Sequence, residues 1–208
     1  MRRIRPLRRH GGCRRNAMPA GNGAAIRVKL PAPAAGNPAP AIFVSRIMND
    51  LSHQLSMTVL MTPDMANFSG NVHGGTILKY LDMVAYACAS RYAGRYVVTL
   101  SVDQVVFRQP IHVGELVTFL ASVNYTGRSS MEIGIKVVTE NIRSKLVRHT
   151  NSCYFTMVAV DDNGTPAEVP PLEPRDEVER QRFAAAQQRR ALRQEMEKRH
   201  GDIKSSVN

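Results

Sequence analysis

The chain has 208 residues, 43% of them hydrophobic, with no tryptophan and a formal net charge of +11. That is enough for one good core, with no sign of a second, and there is no apolar run of about 18 residues for a membrane span and none for a secretory signal. The charge is uneven: residues 1–49 hold ten Lys or Arg and no Asp or Glu, leaving 18 basic against 17 acidic residues in 50–208. The body is therefore nearly neutral, which argues against nucleic-acid binding by it.

The basic tail carries six prolines and almost no apolar periodicity, so residues 1–49 are expected to be disordered. It shares its Arg-rich, acid-free character with organelle transit peptides, but Ser45 is its only serine and the prolines break any amphipathic helix. An upstream start codon, with Met18 or Met48 as the true first residue, explains it equally well. Cys13, Cys88 and Cys153 are scattered without metal-ligand spacing. This favours a reducing, cytoplasmic setting, or a mitochondrial one if the tail is a transit peptide. Cys88 and Cys153 fall in a helix and a strand, where core packing is the expected role.

Residues 54–61 alternate and read as a strand ended by Thr62-Pro63-Asp64. The stretch Asn67-Phe68-Ser69-Gly70-Asn71-Val72-His73-Gly74-Gly75 follows. Two glycines at a helix start leave backbone N–H groups uncovered, so a polarised oxygen can approach them. The helix itself is marked by Ile77, Leu81, Val84 and Cys88 at helical spacing, with Leu78, Ala85, Ala89 and Tyr92 alongside. Asp82 stands seven residues after Gly75, on the same side and about 10 Å along the axis. A carboxylate on an apolar flank is costly unless paired or used. The bland use is a salt bridge; the functional one, beside a carbonyl-polarising helix end, is general base or nucleophile.

From Val97 the period changes to two and predicts a long strand to Val106, and Pro110 and Gly114 then mark a turn. Further strands are predicted over Glu115–Tyr125, Met131–Glu140 and Lys145–Val160, with reversals at Gly127-Arg128-Ser129-Ser130 and Asn141–Ser144. The sum is an α+β architecture in which a five-stranded antiparallel sheet wraps one helix. Its uncovered edges ask for a partner, and edge-to-edge dimerisation is the natural remedy. Beyond Pro174 the chain becomes helical, with Val178, Phe183, Leu192 and Met196 among many Arg and Gln. This weakly amphipathic helix, in a segment spanning 173–208, is expected to be a solvated extension that packs on a neighbouring subunit.

Over roughly residues 52 to 172 the chain resembles the hotdog-fold acyl-CoA thioesterases, in the branch of the short-chain bacterial enzymes and the cytosolic acyl-CoA hydrolases of animals. The resemblance is carried by Asn67 to Gly75 with Asp82, Val97-Val98-Thr99, Val102-Asp103, Phe107 with Pro110, Gly114-Glu115, Gly127 to Met131, and Val158-Ala159-Val160-Asp161. It implies a hotdog domain over 50–172 that hydrolyses acyl-CoA to acid and CoA with no metal and no organic cofactor, CoA being part of the substrate. It implies an active site at a dimer interface, where Asp82 of one subunit meets Asn67 of the other, and commonly a trimer of dimers. Asp82 would act as base or nucleophile, and the Gly74 and Gly75 amides would hold the carbonyl oxygen. His73, Thr99, Gly127, Arg128, Ser129 and Ser130 fall to substrate binding, the Arg128 turn as a clamp for CoA phosphate. His73 departs from relatives with a bulky apolar residue there, and a loop-packing role stands beside an acid-base one. A non-catalytic acyl-CoA sensor or carrier of the same fold is the alternative.

Overall fold

The computed structural model describes residues 53–207, so the basic tail, with its disorder, transit-peptide and start-site readings, lies outside the described residues. Five strands form one antiparallel sheet in the order β1-β3-β4-β5-β2. They are β1 (Gln54–Leu60), β2 (Val97–Val102), β3 (Glu115–Thr126), β4 (Ser130–Asn141) and β5 (Val147–Ala159). The helix α1 (Gly74–Ala93) packs on one face of this sheet. A second helix, α2 (Glu177–Val207), packs against β3 from the other direction. These positions fit the α+β hotdog architecture expected of the sequence.

The stripe read from the sequence is the buried one: Ile77, Leu81, Val84, Ala85, Cys88 and Ala89 face the sheet. They meet Val117, Phe119, Ile133, Ile135, Phe155 and Met157, all at most 2% exposed. Burying a side chain of this size contributes about 1.5–3 kcal/mol, so the register of α1 is fixed by the sheet beneath it. The helix ends at Gly94, whose φ of 65° and N–H bond to the Ser90 carbonyl make a left-handed cap.

Two expectations are corrected. The period-two pattern running to Val106 does not yield a strand of that length, because β2 stops at Val102 after a bulge between Thr99 and Ser101. Asp103 still donates its N–H to the Tyr154 carbonyl, but its side chain is taken by Arg193 of α2. Alternation reports which face a residue takes, not whether a ladder neighbour is there to pair with. The second correction concerns α2, whose N-terminal half is no solvated extension: it docks on this chain's own sheet. Its anchors are ionic and aromatic, which an apolar count does not register. Arg189 binds Glu132 through Nη2 at 2.6 Å, Arg193 joins Glu132 to Asp103, and the Arg189 guanidinium stacks 3.6 Å above the Tyr154 ring.

Candidate active site

Asp82 lies on the exposed flank of α1 that faces β2. The Thr99 hydroxyl donates to its Oδ1 at 2.7 Å and also lies 3.5 Å from the Met157 sulfur. One carboxylate oxygen is thereby fixed in direction. The carboxylate opens on a cleft of about 520 Å³ whose walls include Met83, Tyr86, Tyr96, Val98 and Thr99. A larger space of about 740 Å³ lies on the opposite face of the sheet, under α2, and contains none of the predicted site residues.

The start of α1 is built by its cap. His73 is extended at φ −65° and ψ 131°, and its Nδ1 accepts the Gly75 N–H at 2.9 Å. The imidazole therefore carries its proton on Nε2 when it caps. Thr76 and Ile77 donate to the His73 carbonyl, which leaves the Gly74 N–H as the first-turn amide without a partner among the described residues. A Cβ at position 75 would stand 3.0 Å from the His73 Nδ1, so the second glycine is what lets the ring fold over the helix end. The two glycine amides are thus unlike: that of Gly75 is engaged by His73, and that of Gly74 is open among the described residues. Phe107 packs beside the open one, 3.7 Å from where a Gly74 Cβ would lie.

Asn67 organises its own loop. Its Oδ1 accepts from the Ser69 and Asn71 N–H groups at 2.9 and 3.1 Å, and Gly70 completes the turn at φ 78°. The loop is tied down by Val72 N–H to the Ile111 carbonyl, His73 N–H to the Met65 carbonyl, and a 2.9 Å bond between Asn71 Oδ1 and His112 Nδ1. His112 was not singled out from the sequence; it lies 41 positions from Asn71 and nothing local marks it.

Gly127-Arg128-Ser129-Ser130 is the β3–β4 reversal, closed by Gly127 N–H to the Ser130 carbonyl at 2.8 Å. The Arg128 and Ser129 carbonyls accept from Val169 and Ala159, so the turn is fixed while the Arg128 side chain is exposed. This turn and the Asn67 loop lie at opposite ends of β3: Met61 and Gly114 meet at one end, Thr126 and Met131 pair at the other. Twelve residues of strand separate these ends by roughly 35–40 Å. The fold brings Asp82 and Thr99 together but does not bring Asn67 and Arg128 to one place within a chain.

Cys88 and Cys153 are free and buried, and burial pushes both thiols up to about 12, so neither is a nucleophile. Among the described residues no group of three or more His, Cys, Asp or Glu side chains could hold a metal ion, and no helix is long and apolar enough to cross a membrane.

Residues 69–145 match the thioesterase superfamily. The chain is 52% identical over 140 residues to the protein VdlD of Helicobacter pylori, spanning 67% of this chain and 80% of that one. An apo-hexameric acyl-CoA thioesterase superposes with a TM-score of 0.68 at 34% identity, over 71% of this chain and 94% of its own. The acyl-CoA hydrolase of Staphylococcus aureus, solved with butyryl coenzyme A, coenzyme A and coenzyme A disulfide, superposes with a TM-score of 0.66 at 31% identity, over 74% and 95%. That enzyme has also been solved with an asparagine, an aspartate or a threonine replaced by alanine. Along its chain these three positions stand 15 and 17 residues apart, the same separations as Asn67, Asp82 and Thr99 here.

Proposed function

The chain belongs to the acyl-CoA thioester hydrolases of the thioesterase superfamily, and from that premise we propose that it hydrolyses acyl-CoA at a site shared by two subunits and centred on Asp82. The observation that carries this reading is the exposed carboxylate held by the Thr99 hydroxyl at the mouth of the cleft. Thr99, expected to bind substrate, becomes a residue that positions Asp82.

In this reading the thioester carbonyl oxygen takes the Gly74 N–H of the subunit opposite the attacking Asp82, since about 12 Å of helix separates the two within one chain, and the helix-end partial charge there favours the developing oxyanion. Gly75 N–H joins only when His73 swings away. Asp82 either removes a proton from water as that water attacks the carbonyl carbon, or attacks the carbon itself to form a mixed anhydride whose acyl bond water then breaks. Water supplies the proton in either route. In both routes the C–S bond breaks, the acyl group leaves as acid and the CoA sulfur takes the proton. Asn67 Oδ1 is engaged in its loop, so its Nδ2 is the group offered to substrate.

A second copy completes the site. β2 is an edge strand, and its neighbourhood exposes Tyr96 at 60%, Leu100 at 66% and Phe107 at 46%, a row of apolar groups of the kind that marks an interface. A two-fold copy added along β2 runs antiparallel to it. That arrangement moves the second copy's Asn67 end toward this chain's Arg128 end, supplying the meeting that one chain cannot make. Arg128, Gly127, Ser129 and Ser130 then form the clamp for CoA phosphate. A homo-oligomer, with the trimer of dimers as its larger form, follows from the same edge, and the hexameric state of the related thioesterase supports it. The buried free thiols fit a cytoplasmic setting.

The test is release of free CoA thiol from acetyl-, hexanoyl- and palmitoyl-CoA by the wild type and Asp82→Ala. We expect kcat to fall about 10²–10⁴-fold in the variant, the range of a lost general base or nucleophile. Near-normal kcat in Asp82→Ala would sink the mechanism, and tight binding without turnover by the wild type would identify a sensor or carrier.

A further inference from the structure

We propose that the C-terminal half of α2 is a clamp for a second copy of this chain, reaching over the outer face of that copy's sheet. The inference rests on the edge-to-edge pairing along β2 proposed above. α2 meets its own sheet strand by strand. Glu179 takes His53 just before β1, Phe183 and Arg190 take Tyr125 on β3, Arg189 takes Glu132 on β4 and Tyr154 on β5, and Arg193 takes Asp103 just after β2. The helix thus crosses the sheet from one edge to the other, and Arg193 stands at the edge left open for a partner.

Magnitudes show what remains. From Glu177 to Arg193 the axis rises about 24 Å, while the outer strands of a five-stranded sheet lie about 19 Å apart. The crossing is complete at Arg193, yet α2 continues to Val207, about 20 Å further. That overhang equals about four more strand spacings. Gln194 to Asp202 are all exposed. Leu192 and Met196, one turn apart on one face, are 64% and 58% exposed.

A helical segment of this length is marginal on propensity alone, and the surface placed to receive it is the second copy. Val98 precedes Thr99 in regular register, and the Thr99 hydroxyl faces α1, so Val98 turns to the outer face, where it is 39% exposed; Leu100, at the bulge that follows, is 66% exposed beside it. Antiparallel pairing sets the far end of this chain's β2, where α2 leaves it, against the start of the second copy's β2, where its Val98 and Leu100 stand. Leu192 and Met196 then cover those side chains, and two-fold symmetry gives the same contact twice.

The test uses the full chain carrying Leu192→Glu with Met196→Glu, exposed positions whose change leaves the protomer's anchors untouched, and follows association by sedimentation velocity over a dilution series. We expect the dissociation constant of the dimer to rise tenfold or more. As a second measurement, Val98→Cys and Met196→Cys chains mixed under mild oxidation should give a cross-linked dimer beyond what either gives alone. An unchanged dissociation constant together with no such cross-link overturns the clamp and leaves the Asp82 site standing, with the overhang released for another partner. A wild-type chain that stays monomeric at every concentration yet releases CoA overturns the shared site and the clamp with it.

Discussion

The two helices of this domain are held by different physics. α1 presents an apolar stripe that the sheet buries, with Leu81 and Ala85 fully covered, and its polar flank is left free to carry Asp82. α2 has no comparable stripe: its one buried residue among those described is Ala186, and it is held by guanidinium groups set on Glu132, Asp103, Tyr125 and Tyr154. A helix buried by area has its register fixed and makes a rigid platform for chemistry. A helix held by ion pairs can cross many strands without a continuous apolar seam, and it can run on past the edge of what it covers.

That difference predicts two kinds of damage. Leu81→Ala removes a wholly buried side chain under α1 and should cost about 2–5 kcal/mol, lowering the melting temperature of the whole domain and speeding amide exchange throughout the sheet. Glu132→Gln keeps the shape but withdraws the charge shared by Arg189 and Arg193. Glu132 is 1% exposed and its two partners about a fifth exposed, so the loss should be smaller, about 2–3 kcal/mol after solvent screening of the arginines. Exchange should rise mainly in residues 177–207. Uniform exchange in Glu132→Gln would show that α2 is no separate unit and would erase the contrast.

The helix starts offer a finer comparison. α1 is capped by His73 through Nδ1, and α2 by Asp176, whose Oδ1 accepts the Glu179 N–H at 2.8 Å. His73→Ala should cost about 1 kcal/mol of stability, the usual worth of a cap, and lower kcat less than tenfold. A larger loss of kcat with unchanged stability would make His73 a participant in the reaction rather than a cap.

Legibility follows the same divide. Ile77, Leu81, Val84 and Cys88 announced α1, and alternation announced β3, β4 and β5, because burial writes a period into the sequence. It did not announce the end of β2, since Gln104, Val105 and Val106 keep the period after the pairing stops. It was silent on how α2 docks, because Arg189 and Glu132 are 57 positions apart and carry no period. In the site, Asp82 and the glycine pair were visible as a local pattern. The bond from Thr99 to Asp82 and the capture of the Gly75 amide by His73 were not, since each depends on where a side chain turns once the fold has formed.

The smallest effect concerns the anchor at which α2 begins. Burial pushes the Glu179 carboxyl up, but the Arg175 N–H, the bond to His53 and the His53 charge outweigh it and leave it below its ordinary 4.5. A carboxyl depressed in the folded state contributes stability that is present above the ordinary value and is lost as pH falls through the lower, folded one. Docking of the first turn of α2 should therefore be intact at neutral pH and loosen only as pH drops below about 4.5. Glu179→Gln should flatten that part of the profile of melting temperature against pH while leaving its neutral arm parallel to the wild type. A wild-type profile already declining between pH 7 and 5 would assign the sensitivity to another group, and the contact between His53 and Glu179 would then be an incidental one at the end of a helix held by Glu132.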